Sequence, residues 1–505
     1  MRWEMDWIDN RARLTPNRVA IIDADTNETY TYRNINMRAS ALASWFIENG
    51  VKKGDRVALL SPNHISYFDL LFACAKIGAI FVPLNWRLAK EELNYILSDC
   101  TPVLIGYHTQ FQEKVEQLHA ETERSFCINS AEYANLLVNN TSLKDMVELR
   151  EEDPLAMIYT GGTTGKPKGV VLAHRSIMSN ALNTVLSWNL TEHDCTLSSM
   201  PMFHTGGLNV LSIPLLLIGG KVVITSAFDP VKSIEYINTY HCTIVIFVPT
   251  MYHMMFQTEE FKSSKFPSIR IFLSGGAPCP LEVYDTFQKK GIAFKEGYGL
   301  TEAGPNNFYI DPKVANIKRG SVGKPMMFNM VKLVTEDGHE AGPNEVGEIL
   351  IKGKHVFIQY WNNPEATAQS MQNGWLHTGD LGRMDEEGFF YIVGRKKDMI
   401  ITGGENVYPL EIEHWLESHP EIDEAAVIGL PDTKWGEVVT AFVVVTNSLL
   451  QGTDLIAYCG RKLGKYKIPR KFILVDELPK THVGKIDKKR LKEIGIQVLE
   501  MNKSS

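Results

Sequence analysis

Apolar and polar positions alternate along this chain with two different periods. Segment 39–48 carries its apolar residues on one helical face, Gly50 and Gly54 punctuate, and a short unbroken apolar run follows at 57–60. The same succession returns at 67–77 followed by 79–82, and further apolar runs at 221–225, 242–248 and 270–273 each follow helix-like sequence. Strands that are apolar on both faces and separated by helices predict parallel sheets covered by helices, here two doubly wound sheets in an α/β protein. Beyond residue 310 short strands at 331–334, 347–351 and 389–393 are punctuated by glycine and proline, and a small β-barrel or β-layer is expected. The polar run Arg395-Lys396-Lys397-Asp398 precedes a last unit with a helix at 409–418, strands at 425–428 and 438–445, and a basic end. The pattern therefore predicts an N-terminal domain over 1–395 and a small α+β domain over 396–505.

Length and charge narrow the picture only a little. A chain of 505 residues exceeds what one hydrophobic core organises. A net charge of −7 without long runs of one sign argues against nucleic acid as a partner. Seven cysteines, odd in number, far apart and without a Cys-x-x-Cys pair, fit the reduced thiols of a cytoplasmic enzyme. Acidic residues at Glu4 and Asp6 interrupt what a signal peptide would need as an apolar core. The apolar segment at 67–84 holds Asp69 and Lys76, so no integral membrane segment is expected, and a homo-oligomer stays open.

Candidate chemistry begins at Tyr159-Thr160-Gly161-Gly162-Thr163-Thr164-Gly165-Lys166-Pro167-Lys168-Gly169. Glycines let backbone N–H groups approach phosphate oxygens, threonine hydroxyls add donors, and lysines supply charge, so the stretch reads as a polyphosphate cradle. It is not a Walker A loop, because Thr160 and Pro167 stand where that motif needs glycine and a hydroxyl residue. The alternative is a flexible Gly/Thr linker, which rarely combines this much lysine with flanking core runs.

The stretch resembles the signature of the AMP-forming adenylating enzymes, the superfamily of acyl-CoA synthetases, peptide-synthetase adenylation domains and luciferases. Gly161 stands where that family usually has serine, which removes one hydroxyl donor and keeps the backbone cradle. Further motifs follow in the family's order: Gly275-Gly276-Ala277-Pro278, Gly297-Tyr298-Gly299-Leu300-Thr301-Glu302, Thr378-Gly379-Asp380, Gly394-Arg395, and Lys480-Thr481-His482-Val483-Gly484-Lys485. The resemblance implies that Tyr298 stacks on adenine beside Gly276, Ala277 and Gly299, and that Thr301 contacts phosphate. It further implies that Glu302 binds Mg²⁺, Asp380 holds the ribose, and Arg395 positions ribose and phosphate. Lys485 would contact the carboxylate and the α-phosphate, and Lys397 would occupy the hinge on which the small domain rotates. Read singly, Tyr298 also suits a core, Asp380 a turn and Lys485 a solvated face.

The acid and its acceptor are less sharply marked. Pro201-Met202-Phe203-His204-Thr205-Gly206-Gly207 lacks the aspartate with which amino-acid-activating relatives hold an ammonium group. By resemblance His204 flanks the carboxylate site, with Thr205, Gly206, Gly276 and Gly299 around the acyl group; alone, His204 equally fits a buried structural role. Gly403 and Gly404 would border the pantetheine path, and Trp435, Lys467 and Arg470 would meet the nucleotide end of CoA, although scattered surface cations are common. The reaction implied is ATP-dependent activation of an apolar carboxylic acid, with Mg²⁺, to an acyl-adenylate and transfer to CoA. A fatty acid is the first choice. The alternatives are an aryl-acid or succinylbenzoate-type CoA ligase, or a stand-alone enzyme loading a carrier protein.

Overall fold

The computed structural model describes residues 5–119, 124–139, 147–161, 166–446, 450–481 and 485–501. Its first large sheet has the strand order 359–360, 168–173, 154–160, 80–84, 56–60, 104–107, 125–127. Strands Arg56–Leu60, Ile80–Leu84, Leu104–Tyr107 and Ser125–Cys127 run parallel, as runs apolar on both faces require. Pro154–Thr160 joins Ile80–Leu84 in parallel, and the sheet turns antiparallel where it pairs with Lys168–Ala173. A second group, Cys195–Ser198, Lys221–Ile224 and Val19–Asp23, is also parallel, and Ile244–Phe247, Ile271–Ser274 and Phe294–Glu296 form a three-stranded parallel sheet beside it. The β-rich region is a seven-stranded sheet in which every recorded pairing is antiparallel. The C-terminal region has a five-stranded sheet of its own.

The helix Ser66–Ile77 is buried on every face and ends at Gly78, whose φ of 74° closes it in the left-handed conformation that glycine reaches without strain. Its two charges are answered inside the protein. Asp69, 0 % exposed, accepts two hydrogen bonds from Arg38 at 2.6 and 2.8 Å and one from Tyr133 at 3.1 Å. Lys76 donates to Asp6 at 2.8 and 2.9 Å and to Asn36 at 2.8 Å. Polar residues in this apolar segment are thus interior ion pairs, which survive burial because their partners satisfy them. Among the described residues no helix is long and apolar enough to cross a membrane.

Five apolar clusters make up the interior, and none joins residues before 391 to residues after 399 among those described. Three imidazoles are packed inside the larger part: His64, His174 and His355 all have their pKa pushed down to about 4, chiefly by removal from water. Each ionises near its ordinary value once unfolded, so between about pH 6.5 and 4 the unfolded chain binds protons that the native chain does not. Stability therefore rises with pH through that window. Denaturant unfolding at pH 7, 6 and 5 should show a loss approaching ~1.4 kcal/mol per pH unit for each buried histidine, and His355→Gln should reduce the slope by about one proton.

Candidate active site

The site is built where strands end. Ile271–Ser274 and Phe294–Glu296 are parallel neighbours, and a ligand crevice forms at the C-terminal edge of such strands. Gly275-Gly276-Ala277 leaves the first strand and Gly297-Tyr298-Gly299 the second, and the N–H of Gly297 donates to the carbonyl of Ser274 at 2.8 Å. Gly276 turns with φ of 79°. At Gly299 the constraint is space, since a Cβ there would lie 2.1 Å from the carbonyl oxygen of Pro305.

Asp380 and Arg395 are brought together by register. Trp375–Met384 pairs antiparallel with Phe390–Arg395, and Asp380 stands directly opposite Arg395. Arg395 Nε lies 3.0 Å from one oxygen of Asp380, and the hydroxyl of Tyr298 donates to the other at 2.6 Å. Thr378 Oγ1 accepts from the N–H of Asp380 at 3.0 Å, and Gly379, with φ of 70°, makes the bend that presents the carboxylate. The Tyr298 ring packs edge-on against Phe308 at 5.8 Å.

Glu302 follows on the same loop. Its carboxyl pKa is raised by burial, opposed by the hydroxyl of Tyr360, which donates to it at 2.8 Å. Tyr360 also lies under the Lys168 ammonium, 5.1 Å from the ring centre, so the foot of the cradle and Glu302 share one aromatic residue. Thr160 pairs with Lys168 at the end of the antiparallel pair Pro154–Thr160 and Lys168–Ala173. Gly161 has open space around it, while Gly162, Thr163, Thr164 and Gly165 lie outside the described residues. A carboxylate held from water is suited to a divalent cation that brings phosphate oxygens with it. Among the described residues no cluster of three metal-ligating side chains occurs, so Glu302 would be a single protein ligand beside the phosphates.

His204 precedes the short helix Thr205–Asn209, with its ring 4.6 Å from that of Phe203. Its Nε2 is buried without a hydrogen-bond partner among the described residues, and its pKa falls to about 4 through burial, then the charges of Lys485 and Arg87. It is neutral at pH 7. Thr205 accepts from Asn209 at 3.0 Å, so its hydroxyl is engaged within the helix. Lys485 is exposed by surface area yet stands in the cleft. Partial loss of water and the Arg395 charge lower its pKa, while Asp380 and Glu302 raise it. One lysine of the C-terminal domain thus acts on His204 and feels Arg395, Asp380 and Glu302.

The residues expected to meet CoA divide into two. Gly403, with φ of 60°, donates its N–H to the carbonyl of Trp435 at 2.8 Å, and the Arg470 guanidinium lies 4.3 Å from the Trp435 ring centre. Gly404, with φ of 86°, completes the turn. Lys467 is instead held by Glu411 at 2.7 Å. Lys397 is exposed in a single 3₁₀ turn, Lys396–Asp398, between the two sheets. Tyr360 and Arg87 carry no sequence signal, because an aromatic residue in a two-residue strand and an arginine after a tryptophan have no distinctive spacing; only contact reveals them.

Tyr298, Asp380 and Arg395 are joined by hydrogen bonds and strand register, and Glu302 is joined through Tyr360 to Lys168 of the glycine-rich stretch. The model of the AMP-binding enzyme family matches residues 8–361, and that of the AMP-binding enzyme C-terminal domain matches residues 411–485. The chain belongs to this family of AMP-forming adenylating enzymes. It is 38% identical to a feruloyl-CoA synthase of Amycolatopsis sp over 95% of this chain and 96% of that one. It is 36% identical to the long-chain-fatty-acid–CoA ligase FadD13 of Mycobacterium tuberculosis, over 96% of each. The o-succinylbenzoate CoA synthetase of Bacillus subtilis in complex with ATP and magnesium superposes with a TM-score of 0.86 at 32% identity, over 96% of this chain and 99% of that one. A double mutant of that protein carrying the product analogue OSB-NCoA gives 0.71, also at 32% identity, over 97% and 98%.

Gly299→Ala should force the Pro305 backbone to move and disturb the Tyr298 loop, costing about 1–3 kcal/mol of stability. Calorimetric titration with ATP should show much weaker binding, whereas unchanged binding would mean that the loop adjusts freely.

Proposed function

We propose that the chain is an AMP-forming acyl-CoA synthetase that activates an apolar-bodied carboxylic acid as its acyl-adenylate and transfers it to CoA. The observation that carries this reading is Lys485, which shares the cleft's electrostatic field with Arg395, Asp380, Glu302 and His204. A carboxylate is too weak an acylating agent to meet a thiol at neutral pH. Its oxygen attacks the α-phosphorus of ATP, pyrophosphate departs, and the CoA sulfur then attacks the acyl carbon and expels AMP. When two anions approach, a fixed cation opposes their repulsion most where charge crowds in the transition state, and we assign that role to Lys485. Mg²⁺, when bound, offsets phosphate charge and favours departure of pyrophosphate. Glu302 is the residue we assign to hold it.

In this proposal Asp380 accepts from the ribose hydroxyls, Tyr298 lies against adenine, Thr301 contacts phosphate, and neutral His204 flanks the carboxylate as a donor without carrying charge. The Gly403, Trp435 and Arg470 group is the CoA-facing surface. The relatives' names divide between aryl acids and fatty acids, which supports an acid with an apolar body. Conversion to thioester rather than loading of a carrier is supported by relatives that are CoA ligases along nearly their whole length. We place the enzyme in the cytoplasm.

The domain boundary we propose is 395/396, with Lys397 as hinge. The higher TM-score against the ATP complex than against the product-analogue complex supports assigning the present arrangement to adenylation. Lys485→Ala should slow pyrophosphate release on the order of 10²- to 10³-fold and affect thioester formation from supplied acyl-adenylate much less. Equal losses in both half-reactions would remove the role given to Lys485. Lys397→Pro fixes φ near −65° and should preserve adenylation while abolishing most thioester formation, whereas Lys397→Ala leaves the backbone free and should harm the second step far less. Identical profiles for the two variants would show that the side chain acts, not the hinge.

A further inference from the structure

Asn63 belongs to none of the motifs read from the sequence, yet it holds the loop that carries His204. It follows the strand Arg56–Leu60 and is buried. Its amide oxygen accepts from the N–H of Met202 at 2.8 Å, and its amide nitrogen donates to the carbonyl of Met200 at 2.9 Å, partners 139 and 137 positions away in the chain. One side chain thus supplies an acceptor and a donor to the two backbone groups on either side of Pro201. Only an amide does both, since a carboxylate has no donor and an apolar side chain of the same shape has neither.

The clamp is fixed at both ends. On its own side the buried Tyr67 hydroxyl donates to the carbonyl of Ser61 at 2.9 Å, and the N–H of Ser66 donates to His64 Nδ1 at 3.2 Å, which ties the segment 61–65 to the helix Ser66–Ile77. On the far side Met202 is wholly buried, and the N–H of His204 donates to the carbonyl of Pro201 at 3.2 Å. Gly207 leaves no slack after that turn, because a Cβ there would sit 2.3 Å from the same carbonyl oxygen. His204 therefore stands one tight turn from the two atoms that Asn63 holds. Phe203, next to it, meets the Trp86 ring at 6.4 Å and the Arg87 guanidinium at 5.9 Å, and such ring contacts constrain direction less than paired hydrogen bonds to backbone do.

We propose that Asn63 is a positioning residue of the acid site, whose amide sets the turn Met200–Met202 and through it the place of His204 beside the substrate carboxylate. This inference rests on the role given to His204 in the acyl-CoA synthetase reading. Loss of the amide leaves a buried N–H and a buried carbonyl unpaired, and the turn shifts to find other partners. A shift of about 1 Å in a group that orients a reacting atom costs on the order of 100-fold in rate.

Asn63→Ala and Asn63→Asp should be compared with wild type and with His204→Ala on the full chain, by pyrophosphate release with ferulate, octanoate and 2-succinylbenzoate. For each acid that wild type accepts, Asn63→Ala should lower kcat/KM for the acid on the order of 100-fold. Calorimetric titration with ATP should meanwhile give the wild-type affinity. Asn63→Asp keeps the acceptor for Met202 but turns a second acceptor towards the Met200 carbonyl, and it should lose at least about 10-fold. In a His204→Ala background either change should cost less than about threefold, because the group that Asn63 positions is gone. If Asn63→Ala does not fold, Asn63→Asp carries the same comparison. Losses that add in the double variant, an equal fall in ATP affinity, or wild-type kinetics in Asn63→Asp would each overturn the proposal while leaving the synthetase reading intact. Absence of pyrophosphate release with every acid would overturn the synthetase reading on which it rests.

Discussion

The Asp380 carboxylate is the point on which the cleft depends. One oxygen meets Arg395 across an antiparallel pair and the other accepts from Tyr298, which leaves a parallel sheet in another part of the domain. This linkage fixes the Tyr298 loop relative to the β-rich sheet, and Arg395 is followed at once by the 3₁₀ turn Lys396–Asp398. A catalytic constellation must hold its geometry within a fraction of an ångström. Here that precision comes from strand register on one side and a phenolic hydrogen bond on the other, both supported by rigid elements.

Buried polarity in the molecule falls into two kinds. Asp69, Lys76 and Ser198 are fully answered by protein partners and serve the fold. His204 Nε2 is buried without a hydrogen-bond partner among the described residues, and desolvating a polar atom without pairing it costs free energy. Burial likewise lowers the pKa of His204 to about 4 and raises that of Glu302.

The two-domain construction follows from the chemistry proposed for it. A single acyl carbon must be served first by a cation beside phosphate and then by a thiol, and one rigid surface cannot supply both. Separate cores on either side of 391–399 allow the small domain to turn without repacking either interior. The recorded contacts of Gly403 with Trp435, and of Trp435 with Arg470, are internal to the C-terminal domain, so that surface keeps its shape whichever face meets the cleft.

Much was determined by sequence alone. Apolar runs and their spacing gave the parallel sheets, the β-rich region and the small C-terminal unit, because strand and helix periods are local properties of the chain. The glycine-rich cradle was legible because backbone approach and phosphate charge demand particular residue types, whereas Tyr298, Glu302, Asp380, Arg395 and Lys485 were singled out by the resemblance of their motifs to the adenylating family. Tertiary structure alone decided the rest. It placed Asp380 opposite Arg395 through register, made Asp69 and Lys76 interior ion pairs, tied Lys467 to Glu411, and put Tyr360 between Lys168 and Glu302. Tyr360 is the clearest case, because an aromatic residue in a two-residue strand has no periodicity of its own, and its contacts with Glu302 and Lys168 exist only once the fold brings distant parts of the chain together.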